Sequence, residues 1–158
     1  MVEIFTDGAS RGNPGPGGYG VILRYKNNYK ELSKGYRLTT NNRMELMACI
    51  AGLEALKTSG LDVTIYSDSK YVVDTIENGW IFTWMRKADF GKKKNKDLWL
   101  HFMHLFKLQQ IRMVWVKGHN EHLENERCDE LATRAADGID LDIDEGYESL
   151  GSGSIFLG

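Results

Sequence analysis

Apolar and polar residues alternate over residues 2–6, and the same alternation recurs in the stretches GYGVILRYK and YKELSKGYRL. A period of two predicts half-buried strands. Asn27 and Asn28 separate the second stretch from the third, and asparagine tolerates the left-handed backbone of a hairpin turn. The chain is therefore predicted to open with three antiparallel strands.

The pattern changes to a helical period in TTNNRMELMACIAGLEALKTSG, where Thr and Asn precede the apolar residues as a cap and Gly60 is predicted to end the helix. The stretch DVTIYSD then predicts a strand ending on Asp68, and SKYVVDTIENG a helix capped by Ser69. A helix near KDLWLHFMHLFKLQ, a strand IRMVWV and a helix NERCDELATRAA follow. Helices between strands favour parallel crossovers, so we predict an α/β fold with a five-stranded mixed sheet and helices on both faces.

Length and composition narrow the class of protein. A chain of 158 residues fits one domain with its own core. The sequence has no stretch as long and apolar as a membrane span, and MVEIFTDG lacks the features of a signal peptide, so we expect a cytoplasmic protein with no membrane attachment. Cys49 and Cys128 lack the spacing of a zinc site and are expected to be free thiols.

The charge is distributed unevenly. All 20 Lys and Arg lie before residue 137, whereas six of the 22 acidic residues lie from 137 onward, in a Gly- and Ser-rich stretch predicted to be a loosely held tail. The densest basic run, RKADFGKKKNK, follows Trp80 and Trp84. Basic residues interleaved with aromatic ones favour a nucleic-acid partner. The run alone is more typical of a solvated loop.

The glycine-rich stretch after the first strand raises the question of a phosphate-binding loop. A P-loop needs G-x-x-x-x-G-K-[ST] leading into a helix, whereas here the glycines lead into the strand YGVILRY. This excludes the P-loop. The glycines and two prolines are predicted instead to form a tight turn that lets the backbone approach a ligand closely.

Four acidic residues are predicted to lie near element ends. Ligands of open α/β sheets bind beyond the carboxyl ends of strands, so Asp7 and Asp68 would be neighbours if their strands are parallel. With Glu45 and Asp129 they would form an oxygen-ligand site suited to Mg²⁺ or Mn²⁺, and two such ions support phosphoryl displacement. Taken singly, each has an ordinary alternative as a turn residue, a helix cap or a solvated helix acid.

His119 lies on a glycine-flanked loop after a strand. Its ordinary pKa of about 6.5 suits proton transfer at neutral pH. A surface histidine with no chemical role is the commoner explanation of such a position.

Four motifs, FTDGASRGNPGPGGYG, TTNNRMELMA, YSDSKYV and WVKGHNEHLENERCDELA, occur in this order. Together they closely resemble type 1 ribonuclease H, the bacterial free-standing kind, from residue 2 to about residue 148. The resemblance implies a ribonuclease H-like fold, with three antiparallel and then two parallel strands and a basic protrusion. It implies a domain over residues 1–148 and a flexible tail over 149–158.

The same resemblance implies a function and an ion requirement. The family cleaves the RNA strand of RNA·DNA hybrids with two Mg²⁺ ions, for which Mn²⁺ is a possible substitute, and leaves 5′-phosphate and 3′-hydroxyl ends. Carried over residue by residue, it implies that Asp7, Glu45, Asp68 and Asp129 bind the ions. His119 would assist proton transfer or product release.

The resemblance also implies substrate contacts. Asn13, Asn41 and Asn42 match groups in the minor groove of the hybrid, and Thr40 with Asn13 matches a DNA-phosphate pocket. Ser10 and Lys70 replace a cysteine and a glutamine of a well-known bacterial relative and keep a polar group there. The basic protrusion would supply the remaining contacts, from Trp80, Trp84, Arg86, Lys87, Lys92, Lys93 and Lys94.

Two alternatives stay open at this point. One is a DNA-directed nuclease of the integrase or resolvase type, against which the asparagine set argues. The other is a hybrid-binding protein that has lost catalysis, which is disfavoured because all four carboxylates are present. A monomer is expected to suffice, and residues 137–148 are expected to compete weakly with the substrate for the basic face.

Overall fold

The computed structural model describes residues 1–87, 93–117 and 122–149. Within these residues the strands are β1 (Val2–Ser10), β2 (Gly15–Tyr25), β3 (Asn28–Thr39), β4 (Asp62–Ser67) and β5 (Gln110–Trp115). The helices are α1 (Asn41–Glu54), α2 (Lys70–Glu77), α3 (Trp80–Arg86), α4 (Lys96–Phe106) and α5 (Leu123–Ala136). None of the helices in this part of the chain is long and apolar enough to cross a membrane.

The five strands form one mixed sheet in the order β3-β2-β1-β4-β5. The first three strands pair antiparallel, and β4 and β5 run parallel to β1, as predicted. Pairing between β1 and β4 ends at Phe5 and Tyr66, although β1 continues beside β2 to Ser10. Asp7 therefore lies just beyond the shared stretch of β1 and β4, on the side where β4 also ends.

Side chains alternate between the two faces of the sheet, and helices cover both faces, as predicted. Ile4 and Ile65 belong to the larger core, which includes residues of α1, α2 and α4 and the fully buried Trp99. Phe5 points to the opposite face and packs with Ile22 of β2 and Cys128 of α5. Neighbouring residues of β1 such as Ile4 and Phe5 therefore lie in different cores.

The glycines of β2 have a different role from the predicted one. Gly12, with φ +96°, does lie in the turn before β2. Gly18 and Gly20 instead face α5, because a Cβ on Gly18 would lie 2.6 Å from the carbonyl oxygen of Ala132 and one on Gly20 would lie 2.7 Å from Cβ of Leu131. At Gly18 the expected close approach to a ligand is wrong, since the close neighbour is a helix. Gly20, for which no such role was predicted, meets the same helix.

The first helix is shorter than predicted. It ends at Glu54, and the Ala55 N–H closes the last turn on the Ala51 carbonyl. The prediction that Gly60 ends this helix is wrong. Gly60, with φ +77°, lies in the turn before β4, and its N–H donates to the Leu108 carbonyl at 2.8 Å. Leu61, which follows this turn, packs against the larger core.

The segment from residue 137 to residue 149, here called the C-terminal segment, is not a loosely held tail, so that prediction is wrong. It pairs with β3 through backbone hydrogen bonds from the Arg37 N–H to the Asp142 carbonyl and from the Asp142 N–H to the Gly35 carbonyl, both 2.9 Å long. Composition suggested disorder, but its acids have specific cationic partners. The pairs are Arg11–Asp137, Lys34–Asp142, Arg37–Glu148 and Arg43–Asp144.

These ion pairs also affect the expectation that residues 137–148 compete with the substrate for the basic face. Asp144 is only 1% exposed and accepts hydrogen bonds from Arg43 and Thr39. Such a carboxylate holds the fold together and is not free to move over a basic face. The final GSGSIFLG lies outside the described residues, so a flexible tail there stays a prediction.

Candidate functional site

Three acidic side chains meet where β1 and β4 stop pairing. Asp7 comes from β1, Glu45 from near the start of α1, and Asp68 from the residue after β4. One carboxylate oxygen of each lies within 4.8 Å of those of the other two. The parallel pairing of β1 and β4 thus brings Asp7 and Asp68 together as expected, and α1 adds Glu45.

The position of Glu45 depends on a close contact between β1 and α1. The Gly8 N–H donates to Oε1 of Glu45 and to Oδ1 of Asp7. A Cβ on Gly8 would lie 2.5 Å from the carbonyl carbon of Met44, so only glycine lets the helix come this near. Thr40 caps the same helix end, because its hydroxyl accepts from the Arg43 N–H at 3.3 Å. This is the capping role considered for TTNN.

Burial and mutual repulsion make the cluster hold protons strongly when no cation is present. Burial raises the pKa of Asp7 to about 8, and the charges of Asp68 and Asp129 act in the same direction. Burial, followed by the charges of Asp7 and Asp68, raises the pKa of Glu45 well above its usual range. A bound cation would remove this repulsion.

The donor set fits a hard divalent cation. Glu45 is 3% exposed, and its Oε2 is buried without a hydrogen-bond partner in the described part of the chain. An unsatisfied buried carboxylate oxygen is costly unless an ion or water reaches it. All three donors are carboxylates, which favour Mg²⁺ or Mn²⁺ over softer metals.

Asp129, the fourth predicted carboxylate, lies near this cluster but outside it. It projects from α5 and lines the same cleft as Asp7, Glu45 and Asp68. Its charge contributes to the raised pKa of Asp7, so the two carboxylates interact electrostatically. The structure therefore groups three of the four acids tightly and places the fourth at the side.

A cleft of about 430 Å³ extends from the acids toward the start of α1 and α2. Four of the predicted substrate contacts line it, namely Ser10, Asn41, Asn42 and Lys70. Asn13 adjoins them, since its Oδ1 accepts from the Asn41 N–H at 3.1 Å. The first loop and the first turn of α1 thus form one continuous polar rim.

The predicted basic segment lies on and after α3. Trp84 is half-buried and packs edge-on against the core residue Trp99, with 6.3 Å between the ring centroids. The Lys93 ammonium lies 4.8 Å from the ring centroid of Trp84. Trp80, Arg86, Lys87 and Lys94 are exposed. Lys92 lies outside the described residues.

Two histidines, His119 and His122, lie in the sequence just before α5. His119 lies outside the described residues, so its predicted role stays a prediction. His122 occupies the N-cap position of α5, and its ring packs near Tyr66 and Phe5, with centroids at 5.1 and 5.9 Å. These are aromatic contacts on the sheet face.

Sequence reasoning missed three residues at the site. Gly8 had a usable signal, because a glycine inside a strand often marks a close backbone approach. Tyr71 lines the cleft, and its hydroxyl accepts from the Trp99 indole N–H at 2.7 Å. Trp115 donates from its indole N–H to the Asp68 carbonyl at 3.2 Å. The last two had no local signal, since each depends on a distant partner.

Comparisons with known proteins agree with this geometry. The family model described as RNase H matches residues 1–137. The ribonuclease H of Syntrophus aciditrophicus is 54% identical over 153 residues, which is 93% of this chain and 87% of that protein. The ribonuclease H of Edwardsiella ictaluri is 55% identical over 151 residues, which is 93% of this chain and 96% of that protein.

A solved structure shows the same similarity in three dimensions. The crystal structure of LC11-RNase H1 in complex with an RNA/DNA hybrid matches with a TM-score of 0.69 and 27% sequence identity. The match covers 87% of this chain and 97% of that one. The similarity therefore extends over nearly the whole of both molecules.

Proposed function

The chain belongs to the ribonuclease H family, and from this premise we propose that it hydrolyses the RNA strand of RNA·DNA hybrids without strong sequence preference. The observation that carries the proposal is the cluster of Asp7, Glu45 and Asp68 at the base of a cleft whose rim bears Asn41 and Asn42. A cluster of carboxylates can bind the metal ions that catalyse phosphodiester hydrolysis. The adjacent amides can form hydrogen bonds with the sugars of a nucleic acid. We expect the domain of residues 1–148 to act as a monomer in the cytoplasm.

We assign the ion-binding role to Asp7, Glu45, Asp68 and Asp129. Two Mg²⁺ ions, or Mn²⁺ in their place, would supply activation of a water molecule and stabilisation of the leaving oxygen, giving 5′-phosphate and 3′-hydroxyl ends. The Gly8 N–H donates to Oε1 of Glu45 and so holds this carboxylate in place. Oε2 of Glu45 has no hydrogen-bond partner among the described residues and is available to bind an ion.

Recognition of the hybrid is assigned to the polar rim. An A-like helix exposes its 2′-hydroxyls in a wide, shallow minor groove, and amide side chains can both donate to them and accept from them. Asn13, Asn41 and Asn42 would make these contacts. Asn13 is tied to α1 through the Asn41 N–H, so it would approach the groove together with the helix. Ser10 is assigned to the same rim, and Thr40 with Asn13 is assigned to a pocket for a phosphate of the DNA strand.

Affinity for the backbone is assigned to the basic and aromatic residues. Phosphate contacts add affinity but carry no sequence information, which is why strong sequence preference is not expected. The Lys93 ammonium lies over Trp84, where it stays available to a phosphate because the ring does not neutralise it. The contact set is Lys70, Trp80, Trp84, Arg86, Lys87, Lys92, Lys93 and Lys94.

Proton transfer is assigned to His119, on the basis of the sequence motif. With an ordinary pKa of about 6.5, a histidine near the reacting phosphate can accept and return a proton at neutral pH. His119→Ala is expected to slow turnover without abolishing it. His122→Ala is the matched control, because His122 packs against Tyr66 and Phe5.

The function is tested by offering one labelled RNA strand alone, paired with RNA and paired with DNA, together with a labelled DNA duplex, each with Mg²⁺ and with EDTA. Cleavage confined to the RNA of the hybrid and dependent on the metal is expected. Cleavage of the DNA duplex would replace the proposal with a DNA-directed nuclease. Binding of the hybrid without turnover would leave a hybrid-binding protein.

The role of the carboxylates is tested with two variants from the same strand region. Asp68→Asn is expected to abolish cleavage while hybrid binding persists, because the proposed phosphate contacts lie elsewhere. Asp62→Asn is the control, since Asp62 is exposed at the opposite end of β4. Full activity of Asp68→Asn would refute the assignment.

A further inference from the structure

The last residue of β5, Trp115, touches the turn that carries Asp68 and Lys70. Its indole N–H donates to the Asp68 carbonyl at 3.2 Å. The ladder between β4 and β5 ends at the pair of Ser67 and Trp115, so the Asp68 carbonyl lies beyond the last strand partner. The indole thus supplies a hydrogen bond that the sheet cannot, and backbone groups without one are costly.

The ring face of the same tryptophan holds the first residue of α2. The Lys70 ammonium lies 4.7 Å from the ring centroid, within the range of a cation–π contact. Within the described ranges, no carboxylate lies at ion-pair distance from this ammonium. A ring orients a cation without cancelling its charge, so Lys70 remains attractive to an anion.

Both residues that Trp115 holds line the cleft. Trp115 does not line it and is 39% exposed. We propose that Trp115 is a positioning residue. Its indole N–H fixes the backbone of Asp68, and so the position of the attached carboxylate, and its ring fixes the substrate-facing ammonium of Lys70. The inference rests on the proposed function, because it assigns Asp68 to the ions and Lys70 to a backbone phosphate of the hybrid.

The two contacts use different parts of the side chain, so two substitutions separate them. Trp115→Phe keeps a ring face for Lys70 and removes the N–H. Trp115→Leu removes both. Lys70→Ala removes the cation alone, and the double variant with Trp115→Leu reports whether the ring acts through Lys70.

The two Trp115 variants are expected to differ in KM for the hybrid, and both are expected to need more Mg²⁺ than the wild-type protein. Trp115→Phe should bind Mg²⁺ about three- to tenfold more weakly, which corresponds to the loss of one hydrogen bond. Calorimetry on the substrate-free protein measures this directly, the Mg²⁺ needed for half-maximal cleavage should rise by the same factor, and KM for the hybrid should be nearly unchanged. Trp115→Leu should add a rise in KM of about two- to fivefold from the lost cation–π contact. In the Lys70→Ala background, Trp115→Leu should leave KM unchanged and still raise the Mg²⁺ requirement.

Tyr25 offers a matched control at the far hairpin. It is also 39% exposed and also carries a lysine ammonium, that of Lys26, 5.3 Å from its ring centroid. Tyr25→Leu is expected to change neither KM nor the Mg²⁺ requirement. This control separates an effect of losing any exposed aromatic–lysine pair from an effect at the cleft.

The following results would overturn either the positioning role of Trp115 or the proposed function. A wild-type Mg²⁺ requirement in Trp115→Phe overturns the inference even if Trp115→Leu does not fold. An equal rise in KM from Trp115→Leu with and without Lys70 also overturns it, since the ring would then not act through the lysine. Failure of the wild-type chain to cleave the hybrid overturns the proposed function, and this inference with it.

Discussion

The backbone N–H of Gly8 donates directly to the carboxylate of Glu45, so strand β1 and helix α1 touch at the point where the acid cluster forms. The contact requires a residue without a Cβ, because the Met44 carbonyl carbon lies 2.5 Å from where one would be. The arrangement of the acids is therefore decided by backbone contact as much as by side-chain type.

Gly8→Ala should push α1 away from β1. We expect a fall in kcat of about 100-fold, typical of a misplacement near 1 Å, and a loss of stability of about 1–3 kcal/mol from overpacking. Steady-state kinetics and urea unfolding measure the two effects. Gly138→Ala is the control, since Gly138 is exposed and its Cβ would come no closer than 3.3 Å to a neighbour. Unchanged kcat in Gly8→Ala would contradict the structural account.

Asp7→Asn should stabilise the metal-free protein at high pH. The pKa of Asp7 is raised from its usual range near 4 to about 8, so between these values the folded state binds more protons than the unfolded chain. Stability of the wild-type protein in EDTA should therefore fall as pH rises through this window.

The asparagine variant lacks this titration, so it should exceed the wild-type protein by about 2–5 kcal/mol near pH 8 and match it more closely below pH 4. Urea unfolding across this range measures the difference. Added Mg²⁺ should narrow the gap by stabilising the wild-type protein alone. A wild-type stability that rises from pH 5 to pH 8 in EDTA would contradict the prediction.

Arg43 links the C-terminal segment to α1 and α4. Arg43 is 1% exposed, and its guanidinium donates to Asp144 at 2.7 and 2.9 Å and to Asp97 at 2.9 and 2.7 Å. Arg43→Met would leave the buried Asp144 carboxylate without its cation. We expect a loss of about 3–5 kcal/mol, partly recovered by adding Asp144→Asn.

The pair of the exposed Arg37 with the half-buried Glu148 is the control for this prediction. Arg37→Gln should change urea unfolding little, because exposed ion pairs contribute little. Equal effects of the two arginine substitutions would show that burial of the Arg43 network does not matter.

Truncation after Ala136 tests the C-terminal segment. It removes residues 137–158, and with them the Asp144 carboxylate and the backbone bonds to β3. The protein should therefore lose stability in urea unfolding, and hybrid cleavage should fall at temperatures near the new midpoint. Truncation after Glu148 is the control and should leave both unchanged if residues 149–158 form the predicted flexible tail. Tighter hybrid binding with unchanged stability would restore the idea of competition with the substrate.

The alternation of apolar residues was sufficient to predict the strands, and the order of strands and helices was sufficient to predict the mixed sheet, because both depend on local periodicity and on general rules of chain connection. Asp7 and Asp68 could be paired for the same reason, since parallel strands end at one edge. Glu45 and Asp129 were added as acids near helix starts, and the family resemblance then implied the same four residues.

Other features depended on contacts between residues far apart in the chain. The hydrogen bond from Gly8 to Glu45 joins positions 37 residues apart, and the one from Trp115 to Asp68 spans 47 residues. The acidic stretch after residue 136 looked loosely held because composition describes average solvation, whereas Asp144 is buried against one particular arginine.

By itself the sequence determined the elements, the two faces of the sheet and the candidate acids, because these follow from side-chain period and residue type. Only the tertiary structure decided which backbone donor holds Glu45, which ring holds Lys70 and which cation holds the C-terminal segment. The physical reason is that a hydrogen bond or an ion pair requires two groups within about 3 Å, and only the folded chain brings distant residues that close.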